Sequence, residues 1–269
     1  MVERPFHLNN LMKKGLIWQA SSPTDKVNSA PTLKACFGPS AIDSSLPLKG
    51  IPSGTVNLFS YKNVLTSTLL HSLRQELFPV LIPTLLACNF LKNTVQNKLK
   101  KRFLVWVGRE CWPVPQLIIS LLPELDDPLS CCLFINPPKK KLLIRTIDTA
   151  LHSNETAAVI AAVGRVSFAL SRRFTLAAKA GNTLGLLLVT EECNNTPLCA
   201  YSRWSIAPIQ SEAPQGFKLT LLKLKGPAAP LKSWRIQYEP ELRALSINLS
   251  ADTIDRSNPP GSCAARQAC

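Results

Sequence analysis

Acidic residues are scarce in this sequence. Asp and Glu number 17 against 31 Lys and Arg in 269 residues, a formal net charge of +14. The excess favours an acidic or polyanionic partner, without choosing among nucleic acid, membrane surface and acidic protein. Histidine is scarcer still, with His7, His71 and His152 only. The nine cysteines contain no C-x-x-C pair, so no metal site is expected, and a Cys–His nucleophile pair lacks support. Long apolar runs are missing too. The nearest, Leu77 to Leu91, carries Pro79 and Pro83. It is short for a membrane span and is expected to form a buried helix–turn region, with the prolines interrupting it. MVERPFHLNNLMKKGLIWQ holds no apolar stretch of secretory length. A cytoplasmic chain with free, buried thiols rather than disulfides is therefore expected. What is present in quantity is apolar: 46 % hydrophobic against 18 % charged residues, enough for a core and too much for global disorder.

The hydrophobic pattern divides the chain. Residues 1–47 mix short apolar patches with Ser, Pro and Asn and read as a poorly ordered arm with one short helix. Residues 240–269 end in SNPPGSCAARQAC and read as a flexible tail. Between them strand and helix signals alternate. Strands are expected at Thr55–Phe59, Phe103–Val107, Cys131–Ile135, Thr156–Ala162 and Leu184–Val189. Helices are expected over 64–73, Pro113–Leu122, Lys140–Leu151 and Ser171–Ala180. In the last, Ser171 is the cap and Gly181 follows the C-terminus. Strands apolar on both faces, separated by helices, imply an α/β fold with a predominantly parallel central sheet flanked by helices. From about residue 199 the helical signal stops. Ser202–Pro208, Phe217–Leu224 and Ser233–Tyr238 read as an antiparallel, β-rich extension of the same sheet. Cys131 and Cys132, in a buried strand, are expected to face opposite sides.

Catalytic groups are not apparent. Lys62, Thr66 and Ser67 follow the first strand, where a phosphate loop would lie, but the G-x-x-x-x-G-K-[ST] pattern is absent and Gly54 precedes the strand instead. They are weak phosphate-loop candidates. No carboxylate ends a central strand, and Glu110 lies three residues beyond one. Ser167 and Ser171 sit in no nucleophile elbow. No cofactor and no enzymatic activity are expected.

The cations say more. Lys98, Lys100, Lys101 and Arg102 form one cluster and Lys139, Lys140 and Lys141 a second. Arg172 and Arg173 occupy what reads as a first helical turn, where the helix dipole disfavours them. A carboxylate partner or a polyanion would offset that cost. Lys179 lies near the face of Arg172, with Leu176 between. In the β-rich end Trp204 and Trp234 each neighbour an Arg, Arg203 and Arg235, a pairing suited either to stacking on a partner or to a strand core.

SRRFTLAAKAGNTLGLLLV, Ser171 to Val189, resembles the SRR-x-x-LAAE-x-x-G-x-x-GLLLR segment of the ImuA family, RecA-like accessory proteins of bacterial SOS mutagenesis. Lys179 stands at the usually acidic position. KKKLLIRTIDTALHSNETAAVIA resembles the family's preceding helix and strand, with Ile144 and Ile147 in a stretch that usually bears Trp and Glu. SRWSIAPIQSEAPQGFKLTLLKLKG and SWRIQYE resemble its C-terminal strands. IPSGTVNLF resembles its first strand, with Asn57-Leu58 where His-Glu is usual. The resemblance spans about 48–239, and the same core is more distantly similar to the division inhibitor SulA and to RecA. It implies a RecA-like core and a non-catalytic role in the DNA damage response. The partners implied are an ImuB-like Y-family polymerase homologue, an error-prone replicative-type polymerase (DnaE2-like) and RecA, with DNA met directly or through them. Carried over, the candidate contacts are Arg172, Arg173, Lys179, Trp204, Trp234 and Arg235. A nucleotide-binding recombinase and a SulA-like inhibitor are the alternatives.

Overall fold

The β-branched and apolar runs of the middle of the chain form strands buried on both faces. The computed structural model describes residues 33–61, 78–97, 103–193, 196–209, 217–225, 232–239 and 244–248. Its main sheet holds β3 (Val56–Tyr61), β4 (Phe103–Val107), β5 (Cys132–Ile135), β6 (Thr156–Gly164), β7 (Leu184–Thr190), β8 (Ser202–Pro208), β9 (Phe217–Leu224), β10 (Lys232–Glu239) and β11 (Ala244–Asn248). The order across it is β11-β10-β9-β8-β3-β7-β6-β4-β5. Strands β8 through β5 in that order are mutually parallel, and β9, β10 and β11 continue antiparallel. The expected α/β class is present, and so is an antiparallel extension, but it begins at β9: Ser202–Pro208, expected to be antiparallel, lies parallel to β3.

Helices cover the sheet on two sides. On one lie α2 (Phe78–Gln96) and α3 (Pro115–Leu121), with the small hairpin of β1 (Lys34–Ala35) and β2 (Ile51–Pro52) and the single turn α1 (Ser40–Asp43). On the other lie α4 (Lys140–His152) and α5 (Phe168–Gly181). Period-two alternation sends Leu184, Leu186 and Leu188 of β7 to the first side and Leu187 and Val189 to the second. Progress from β3 to β4 to β5 uses helices of the first side. The return through β6 to β7 uses helices of the second, which keeps successive crossovers of one hand.

Five further expectations change. The arm does not extend to residue 47: Ala35, Phe37, Ile42 and Leu46 are buried in the core, and Asn89 and Asn93 of α2 donate to the Cys36 and Lys34 carbonyls at 2.9 Å each. Nor does a tail begin at 240, since β11 pairs with β10 from Ala244 to Asn248. Pro79 and Pro83 do not interrupt their segment. Pro79 is near the start of α2, where its missing N–H costs little. Pro83 lies inside the helix, where burial of Val80 through Cys88 offsets the lost bond. Cys131 ends a 3₁₀ turn ahead of β5, so the two thiols do not point apart: Cys131 and Cys132 both donate to the Pro128 carbonyl, at 2.9 and 3.3 Å. Strand β5 itself is an exposed edge, not a buried strand.

Candidate partner-contact surface

The segment Ser167–Asn182 is built to present one face and bury the other. Ser167, not Ser171, is the N-cap, and its hydroxyl accepts from Leu170 N–H at 3.2 Å. The helix therefore starts earlier than the SRR motif suggests. Arg172 and Arg173 lie past the first turn, so the dipole penalty expected of them is smaller. Asn182 closes the helix in the left-handed region, at φ 50°.

Ser171, Phe174, Ala177, Ala178 and Gly181 face inward. Gly181 is required by proximity. A Cβ there would clash with the Leu151 carbonyl oxygen. Ser171 and Thr175 tie down the strap before β8: the Cys199 N–H donates to Ser171 Oγ and Thr175 Oγ1 donates to the Cys199 carbonyl, both at 2.9 Å.

Outward, Phe168, Arg172, Leu176 and Lys179 fall within about 80° of arc on a regular helix. Arg172 and Lys179 are exposed, and Phe168 and Leu176 are 51 % and 59 % exposed. Two large apolar side chains thus stand in water, alternating with two cations. Arg173 is on the flank toward α4. Its Nε and Nη2 donate to Asp148 Oδ1 and Oδ2 at 3.0 and 2.7 Å, and that bidentate bond, with the Asp148 charge, raises its pKa. Lys179, in the last turn, is favourably placed for the dipole.

The tryptophans belong to the core, which corrects their assignment as contacts. Trp204 is fully buried and Trp234 5 % exposed. Trp204 packs on Phe37 at 4.9 Å, Trp234 at 6.1 Å and Phe59 at 6.4 Å between ring centroids. Its Nε1 donates to Ser202 Oγ, which donates to Asn57 Oδ1, each at 2.7 Å. Asn57 Nδ2 in turn donates to the Gly185 carbonyl at 3.3 Å. Strands β8, β3 and β7 are joined by this buried chain. Alternation explains the misassignment: a Trp facing the core places its neighbouring Arg on the other side. Arg203 is itself buried and donates to the Leu198 carbonyl at 3.2 Å. Desolvation lowers its pKa.

Arg235 remains exposed on β10, directly opposite Lys218 of β9, a like-charge pairing that costs stability. It is not brought to α5, which packs on β7 and β3. Strand β10 is the third beyond β3, roughly 14 Å across the sheet. The structure therefore groups Arg172, Arg173 and Lys179 and leaves Arg235 apart. Residues missed by sequence reading are Phe168 and the exposure of Leu176. Their spacing of eight, with Arg172 midway, was the available signal.

The crevice beyond the carboxyl ends of β3 and β7 is a switch point of strand order, a usual place for ligands in such sheets. Its described rim includes Tyr61, Glu110 and the Arg165–Glu192 pair, in which Arg165 Nη2 donates to Glu192 Oε1 at 2.9 Å. Burial, followed by the Glu110 and Cys111 charges, raises the Tyr61 pKa. Lys62, Thr66, Ser67, the expected helix over 64–73 and the cluster from Lys98 to Arg102 lie outside the described residues. Among the described residues no group of three His, Cys, Asp or Glu is placed to hold a metal. None of their helices is long and apolar enough to cross a membrane. Comparison with known protein families finds no matching family, and a search of curated proteins finds no match.

Proposed function

We propose that this chain is a non-catalytic accessory protein of the ImuA kind, acting in the cytoplasm to support error-prone translesion synthesis. Its partners in this reading are a Y-family polymerase homologue, a replicative-type error-prone polymerase and RecA. The mostly parallel sheet, continued by antiparallel strands, is compatible with a RecA-like core. The observation that carries the reading is the outward face of α5, where Phe168 and Leu176 alternate with Arg172 and Lys179. That helix lies within the segment that most resembles the family. Exposed apolar side chains flanked by cations suit an acidic, partly apolar protein surface. A phosphate backbone would use the cations alone.

Co-purification of the full chain with each of the three partners tests the proposal. Capture of the polymerase homologue or RecA is expected, and Arg172→Glu with Lys179→Glu should abolish it while the circular dichroism spectrum stays unchanged. Binding to none of the three overturns the adaptor reading.

A further inference from the structure

We propose that the free edge of β5 is a self-association surface, where a second copy of this chain adds its own β5 antiparallel across a two-fold axis. This goes beyond the adaptor role and does not depend on it. Among the described residues, strand β5 ends the sheet and pairs only with β4. The Ile135 carbonyl accepts the Gly108 N–H at 2.9 Å. Leu133 and Ile135 therefore turn their main-chain groups toward β4, and Phe134 between them turns its N–H and C=O outward. Natural edges are usually protected by charge, proline or a bulge. CLFI has none of these, and Leu133, Phe134 and Ile135 are 43 %, 38 % and 37 % exposed. Leu142 and Trp112 extend the apolar area on the two sides of the strand, Trp112 in edge contact with Phe134 at 5.5 Å.

Charge around the strand selects the occupant and its direction. Asp126 and Asp127 precede β5, Asp127 capping the turn that leads into it. Lys139, Lys140 and Lys141 follow it, and all three are exposed. A second copy laid antiparallel sets the acidic end of each strand beside the lysines of the other. A parallel copy would set like charges together. The outward main chain of Phe134 fixes the register: Phe134 opposes Phe134 of the second copy and exchanges both N–H···O bonds with it. Leu133 then opposes Ile135 of the second copy on the other face. The strand is short, so the dimer is of micromolar rather than nanomolar strength.

Sedimentation velocity of the full chain across micromolar concentrations tests this, with a concentration-dependent dimer expected. Leu133→Lys plus Ile135→Lys places ammonium groups opposite each other twice and should weaken the dimer by at least about tenfold. Leu133→Lys plus Ile135→Glu pairs unlike charges at the same two places and should restore it. Lys139→Glu plus Lys141→Glu, outside the strand, should weaken it at low salt and less at high salt. This last pair decides the matter if the strand variants do not fold. A wild-type chain that stays monomeric, or a dimer indifferent to both the double-lysine and the lysine-to-glutamate variants, overturns the proposal.

Discussion

Six side chains of this protein look alike in sequence, each cationic or aromatic beside a cation, yet α5 and the strands β8 and β10 treat them in opposite ways. On α5, Arg172, Arg173 and Lys179 stay in water and two large apolar residues join them there. In β8 and β10, Trp204 and Trp234 enter the core and only Arg235 remains outside. A helix in an outer layer of a three-layer fold has a full face to spare. A strand inside a sheet gives alternate residues to each side, so an aromatic–cation pair is split between them. Adjacency in sequence therefore signals a shared surface in the helix and the reverse in the strand.

The largest test of this contrast is Trp204→Ala. Removing a fully buried indole that contacts three rings should cost about 3–5 kcal/mol, read from urea unfolding. An effect under about 1 kcal/mol would return Trp204 to the surface. Gly181→Ala comes next, since the new methyl meets the Leu151 and His152 main chain. It should destabilise by about 1–3 kcal/mol, and a neutral result would mean that α5 does not approach α4 as closely as described.

Phe168→Ser plus Leu176→Ser should leave stability within about 0.5 kcal/mol and still reduce capture of the polymerase homologue or RecA. Fluorescence anisotropy with DNA sharpens the reading. Should the α5 cations meet phosphates instead, each one removed lowers the salt-dependence slope by about 0.9 on duplex or 0.7 on single strands, and the serine pair changes nothing. Arg173→Ala breaks the bond to Asp148 and should lower the melting temperature slightly, with the difference shrinking in salt.

The smallest effect concerns the N-terminal turn under Trp204. Asp43 accepts from Phe37 N–H at 2.9 Å and Gly38 N–H at 3.1 Å. Burial nonetheless raises its pKa, the two hydrogen bonds and Lys34 opposing the shift. The folded chain therefore binds that proton more readily than the unfolded chain. The resulting stabilisation is fully present below the ordinary carboxylate range and is lost as pH rises through the raised value. Asp43→Asn should flatten that part of the stability–pH profile, and a profile that keeps its slope assigns it to another carboxylate.

Much of the fold was legible in the sequence because its strands carry near-continuous apolar runs. Phe103–Val107, Ser202–Pro208 and Phe217–Leu224 have the bounds their patterns predict. Where strength of pattern and burial part company, local reading fails. CLFI is as apolar as FLVWV, yet one lies at the edge and the other inside, and only strand order distinguishes them. Ser171 resembles a cap because serine precedes a helical run, but Ser167 has the free geometry and Ser171 is spent on Cys199.

Composition and periodicity by themselves determined the α/β class, the loss of helices after about residue 199 and the cationic character of α5. These depend on side-chain chemistry repeated at the period of one element, which a sequence records directly. Tertiary structure alone decided that residues 33–47 join the core, that both tryptophans turn inward, that Arg173 holds Asp148, and that β5 has no neighbour beyond it among the described residues. Each of these is a relation between segments distant along the chain, set by which surfaces water leaves when sheet and helices close, and no local period encodes it.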